Sequence, residues 1–129
     1  MLGPLSRVAA EFAAEINQHD WSDAPYRADR AGHKHAVDRT NSPQLEPQQV
    51  EVLKMNVAWV TGQVLAFNDP NFNEHEFFEA CGLNPRTTRG QLSGWVTNGL
   101  RFEDAPDGSR RYQVPGTFEY EGTVPTTSS

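Results

Sequence analysis

The stretch NPRTTRGQLSG, residues 84–94, gathers side chains suited to holding nucleic acid. Arginine and glutamine can each make paired hydrogen bonds to base edges in a major groove, arginine to guanine and glutamine to adenine. Arg86, Thr87, Arg89, Gly90, Gln91 and Ser93 fall on the exposed side of a predicted helix over 85–98. Asn84 is its expected cap and Pro85 its first residue. Asn84 and Thr87, with the free N–H groups of such a helix start, would suit a phosphate. Gly90 and Gly94 stand one turn apart and would leave a shallow channel for DNA or for another helix. Farther along, Arg110 and Arg111 follow the turn-forming sequence DAPDGS, where they would reach a flanking backbone or minor groove.

Other combinations carry less chemistry. His33 and His35 in GHKHAVD, with Asp38 behind them, have the spacing of metal ligands on an extended segment. Lys34 separates them and no second pair matches, so no metal site is expected. Ser6, Ser93 and Cys81 lack the setting of a nucleophile, and no phosphate-cradling glycine loop is present. The chain therefore reads as a non-enzyme without a cofactor. A single cysteine excludes an internal disulfide and a cysteine-built zinc site.

The net charge of −6 argues against general attraction to phosphate, so binding to nucleic acid would need a locally basic surface. Residues 73–115 carry five arginines against six carboxylates. The 129 residues leave room for one domain with a modest core, and 36% hydrophobic residues, below the usual share for a globular domain, imply that some of the chain is not packed. No run is apolar enough to span a membrane, and the first dozen residues do not resemble a secretory signal, so the expected location is the cytoplasm.

The elements that must position these side chains follow from periodicity. Leu5, Val8, Ala9, Phe12, Ala13 and Ile16 recur at spacings of three and four and predict a helix within 1–18 whose stripe needs the core or a second copy of the chain. Residues 19–47 have no sustained period and read as an irregular or partly disordered segment. Residues 48–68 predict the central helix: Val50, Leu53, Val57, Val60, Val64 and Phe67 form one face, widened by Val52, Met55, Trp59 and Ala66. Asn73 caps a short helix over 73–81 that Gly82 ends. In the helix 85–98, Thr88, Leu92, Trp95 and Val96 are expected inside. Leu100–Val114 alternates around a turn and predicts a β-hairpin. The tail 116–129 shows no core pattern and is expected to be mobile.

Helix, short helix, tight turn, helix and hairpin, with Phe77, Ala80, Gly82-Leu83, Asn84, Leu92, Trp95, Gly99-Leu100 and Asp107-Gly108 at their places, resemble the winged helix-turn-helix of MarR- and ArsR-like bacterial regulators over residues 48–115. Phe78 stands where that pattern usually has a small residue, and Thr88 where it is usually aliphatic. The resemblance implies a mainly α fold with a small β-hairpin wing plus an extra N-terminal helix. It implies a regulatory protein that reads double-stranded DNA with helix 85–98 and the backbone with the hairpin, as a possible homodimer joined through 1–18 and the spare face of 48–68. The alternative is an acidic protein-binding adaptor or inhibitor on the same fold that does not bind DNA, with 19–47 engaging the protein partner.

Overall fold

Ser6 begins the first helix because its hydroxyl can accept the Ala9 N–H that helix geometry leaves without a partner. In the computed structural model, which describes residues 5–28, 30–38 and 41–117, helix α1 runs Arg7–Gln18. A long connection with one 3-10 turn, Ala24–Tyr26, leads to α2, Pro47–Asn68. Pro47 occupies the first position of α2, and the Gln49 side chain accepts the Glu46 N–H. Helix α3 is Glu74–Ala80, capped by Asn73, whose side chain accepts from Glu76. Its end is a Schellman turn: Leu83 N–H reaches Phe78 O, Gly82 N–H reaches Glu79 O, and Gly82 has φ +93°. Helix α4, Gly94–Asn98, is followed by strands β1, Phe102–Asp104, and β2, Arg110–Tyr112. The strands pair antiparallel with Phe102 opposite Tyr112 and Asp104 opposite Arg110. The fold is thus mainly helical with one small two-stranded hairpin.

One core joins all four helices. Ala9, Ala13 and Ile16 of α1 meet Ala58 of α2, Phe77 and Phe78 of α3, Cys81, Leu83 and Val96 of α4. Phe78 is fully buried, edge-on to Trp95 at 5.5 Å between centroids, and Trp95 is in turn edge-on to Trp59 at 5.8 Å. A large ring in place of a small residue is accommodated by an aromatic cluster. The Trp59 indole donates to Val96 O at 2.9 Å and lies against Gly99, where a Cβ would come within 2.0 Å of the ring. Only glycine admits that approach.

One expectation is overturned and two are refined. The predicted helix over 85–98 is only Gly94–Asn98, started by Ser93, whose hydroxyl accepts from Trp95 N–H. Gly90 has φ +83° and two adjacent threonines precede it, so residues 85–93 gain little from helical geometry. Consequently Thr88 and Leu92 are exposed, while Val96 is buried and Trp95 partly so. Second, α2 turns its small residues to the core. Ala58, Gly62 and Ala66 are buried, with Phe77 at contact distance from Gly62, whereas Val60, Val64 and Phe67 face solvent. Close helix packing favours the side where backbones can approach, and hydrophobicity alone does not distinguish the two sides. Third, the α1 stripe divides: Ala9, Ala13 and Ile16 point inward, while Val8 and Phe12 are exposed. Within the tail, the residues after Thr117 lie outside the described chain, as do Asp29, Arg39 and Thr40 in 19–47.

Candidate nucleic-acid interface

Seven of the nine residues singled out for binding lie on a small projecting hairpin loop. Pro85 is buried at its base, and its carbonyl accepts from Ser93 N–H at 2.8 Å. Arg86 and Leu92 form an antiparallel bridge. At the tip, Thr87 N–H donates to Gln91 O at 2.7 Å and Gly90 N–H to Thr87 O at 2.9 Å, a tight reversal that the positive φ of Gly90 permits. The His75 ring, on α3, is 2.8 Å from Ser93 O through Nε2 and ties the loop's second leg to the core helices. Residues Thr87–Leu92 are all exposed.

The side-chain roles differ from those of a helix start. Asn84 Oδ1 accepts from Arg86 N–H at 3.1 Å, and Thr87 Oγ1 accepts from Arg89 and Gln91 N–H at 3.3 and 3.2 Å. Both side chains stabilise the turn rather than capping a helix. Arg86 Nη1 donates to Gly90 O at 3.0 Å across the loop. The Arg89 side chain makes no hydrogen bond or ion pair among the described residues, and Gln91 is exposed beside it. Ser93 serves as the α4 cap.

Arg110 and Arg111 are on β2, apart from that loop in the chain. The Arg110 guanidinium lies 4.4 Å from the centre of the Phe102 ring, which packs against Tyr112 at 4.7 Å. Arg111 pairs across the hairpin with Glu103 at 2.7 Å, with 54% of its side chain still exposed. Polar side chains that the sequence did not single out hold this hairpin. Buried Gln63 accepts from Arg101 N–H at 2.8 Å and donates to Arg101 O and Gln113 O, each at 3.1 Å. Gln113, also buried, donates to Phe102 O at 3.0 Å and accepts from Arg101 Nε at 3.2 Å. Glu74 at the start of α3 accepts from the hydroxyls of Thr97 and Tyr112, joining α3, α4 and β2. Burial, aided by the Glu74 carboxylate, raises the Tyr112 hydroxyl pKa, so it remains a donor. The only hint in the sequence is an amide, Gln63, in the mainly apolar second half of α2.

The histidine pair has a different fate. His33 is wholly buried, with Nδ1 2.6 Å from Asp38 Oδ2 and Nε2 2.8 and 3.0 Å from the two oxygens of Asp23. Both ring nitrogens thus face carboxylates, an arrangement in which a second ring N–H would find an acceptor. His35 adds Nδ1 at 2.9 Å from Asp23, and its N–H donates to Asp20. Arg30 pairs with Asp38 at 2.8 Å. Burial opposes ionisation of Asp23, but bonds from His35 and His33 outweigh it and lower its pKa. For Asp20, burial is likewise outweighed, by hydrogen bonds from Ser22 and His35, and the value falls to about 2. Arg30 chiefly lowers Asp38 to about 2. The cluster organises much of 19–47, and among the described residues no group of ligands is arranged to hold a metal. Burial pushes the Cys81 thiol up to about 12, against the pull of Lys54, which suits a packing role.

Charge is unevenly spread. Between Glu79 and Glu103 the chain has no carboxylate and carries Arg86, Arg89 and Arg101. The projecting loop lies wholly inside this interval. Among the described residues no helix is long and apolar enough to cross a membrane. Compared with protein-family models, curated proteins and solved structures, the chain matches none.

Proposed function

We propose that this chain is a small regulatory protein that binds double-stranded DNA, with α2, α3, α4 and the β1–β2 hairpin forming a reduced winged helix-turn-helix. Loop 84–93 replaces a long recognition helix as the contact element. Arg89 and Gln91, exposed near its tip, supply base-edge contacts; Arg86 and Arg110 supply phosphate contacts. The observation that supports this most is the carboxylate-free interval of sequence that holds the loop, from Ala80 to Phe102, with Arg86, Arg89 and Arg101 inside it. One observation favours the adaptor reading instead: Val8 and Phe12 are exposed on α1 with Glu11 and Glu15 beside them, an acidic-apolar face.

Fluorescence anisotropy with a labelled random-sequence duplex, over a salt series, tests the reading. Each phosphate contact should add about −0.9 to the slope of log K against log salt, so Arg86→Ala/Arg89→Ala, which removes one phosphate contact and one base contact, should weaken binding and flatten the wild-type slope by about 1. No binding at low ionic strength refutes the DNA reading and favours the adaptor. Binding that the double variant leaves unchanged refutes the assignment to the loop.

A further inference from the structure

Helix α2 has two apolar faces, and the fold uses one. In the seven-residue repeat, Val50, Val57 and Val64 occupy every a position and Leu53, Val60 and Phe67 every d position, spaced 3, 4, 3, 4 and 3. Most of the residues that pack inward, Met55, Ala58, Trp59, Gly62, Leu65 and Ala66, occupy b, c and f positions instead; of the a/d row, half-buried Val57 also packs against the core. The a/d seam is half-buried over its first three residues and opens toward the C-terminal end, where Val60 is 70%, Val64 44% and Phe67 43% exposed. A strict 3.5-residue repeat is more than a helix needs to cover its own core. It is the period at which a row of side chains stays in register with another helix.

We infer that this seam pairs with the α2 of a second copy, the two helices running parallel. Two observations select that occupant. Valine at each a position and leucine at the first d position, Leu53, are the residue types that favour two strands in a parallel coil. The charge pattern then admits a copy of this chain. The molecule has a formal charge of −6, so most of its faces repel their own copy, yet α2 has no carboxylate from Lys54 to its end. The flanking g positions are Gln49, Asn56 and Gln63, and the e positions are Lys54, Thr61 and Asn68. In a parallel pair each g faces the e five residues on in the other helix, giving Gln49 with Lys54 and Asn56 with Thr61. Gln63, the third g residue, is buried against the hairpin and leaves Asn68 to solvent. Neither pair places like charges together. A partner selected by charge would find almost none on this strip to recognise.

The inference does not depend on DNA binding and is tested without it. Sedimentation of the full chain across micromolar concentrations should give a reversible species of twice 14.4 kDa. Val60→Asp should weaken association by about a hundredfold or more, because the seam would bury an unpaired carboxylate on each side. Val60 is mostly exposed in the single chain, so this variant should keep its helical circular dichroism as a monomer. As a second readout, Val64→Cys should form an intermolecular disulfide on mild oxidation, since parallel pairing sets position 64 beside its counterpart, while buried Cys81 stays unreacted. A wild-type monomer at every concentration, or a dimer indifferent to Val60→Asp, overturns the inference. Dimers that cross-link through Val60→Cys but not through Val64→Cys overturn the parallel arrangement.

Discussion

Replacing Gln63 by leucine should release the β-hairpin from α2 while leaving the packing volume almost unchanged. The amide makes three bonds: Arg101 N–H to Oε1, and Nε2 to the carbonyls of Arg101 and Gln113. Arg101 O retains a second partner, Gln113 N–H at 3.0 Å, so its loss is partial. Arg101 N–H and Gln113 O have no such reserve among the described residues. Two orphaned, largely buried backbone groups at about 1–3 kcal/mol each, reduced where water can enter at the half-exposed Arg101, give about 2–4 kcal/mol. That is a large share of the stability of a domain this size. Gln63→Glu separates chemistry from shape. It preserves size but places a carboxylate oxygen against two carbonyls, so its defect should ease as acid protonates the group and restores one donor. Urea unfolding followed by tryptophan fluorescence gives the magnitude, and amide exchange at residues 101–113 locates it. A Gln63→Leu loss below about 1 kcal/mol, or a Gln63→Glu variant with no acid recovery, would refute the claim that this amide holds the hairpin by hydrogen bonds.

Two further outcomes follow from the core and from the buried ion cluster. Gly99→Ala places a methyl group within 2.0 Å of the Trp59 indole, so either the ring gives up its bond to Val96 O or α4 shifts; thermal unfolding should show a loss of about 1–3 kcal/mol or more, with a change in near-ultraviolet circular dichroism. For the acid cluster, Asp20 and Asp38 fall from 3.8 to about 2 and Asp23 falls as well. Because the folded values lie below the unfolded ones, these groups stabilise the fold above about pH 4, and that contribution is lost as pH drops through the folded values toward about 2. Amide exchange or the NMR signals of His33 and His35 should show 19–47 loosening over that acid range, with Asp23→Asn loosening it already at neutral pH.

Local signals are legible in the sequence wherever one short-range rule decides the outcome. Asn73 as cap and Gly82 as stop delimit α3, and alternation around Asp107-Gly108 delimits the hairpin. Residues 85–93 mislead because Asn84-Pro85 matches a helix start as well as it matches a turn. What decides the matter is the weak helical preference of Thr87, Thr88 and Gly90, with Pro85 buried and Ser93 available as a cap farther on. The inner face of α2 is hidden for another reason. Valines on one side and alanine and glycine on the other are equally apolar in pattern, and the choice falls to the steric approach of Phe77. Nothing periodic links Asp23, His33 and Asp38, so the order they impose on 19–47 arises only when the chain has brought them together.

The charge balance of the candidate interface depends on that same order. Taken as a formal sum, the chain should repel phosphate. Yet Asp23 and Asp38 are turned to His33, so two of the chain's carboxylates face an imidazole rather than open solvent. Glu74 is turned to two hydroxyl donors and Glu103 to Arg111, so neither faces an incoming anion unopposed. The carboxylates that flank loop 84–93 in the chain without such partners are Glu76 and Glu79 of α3 on one side and Asp104 of the hairpin on the other. If the loop holds DNA, their repulsion is the main opposing force. Glu79→Gln, at an exposed site outside the core, should then tighten duplex binding at low salt and leave it nearly unchanged at high salt. An equal effect at both salt concentrations would mean that Glu79 acts through structure rather than charge.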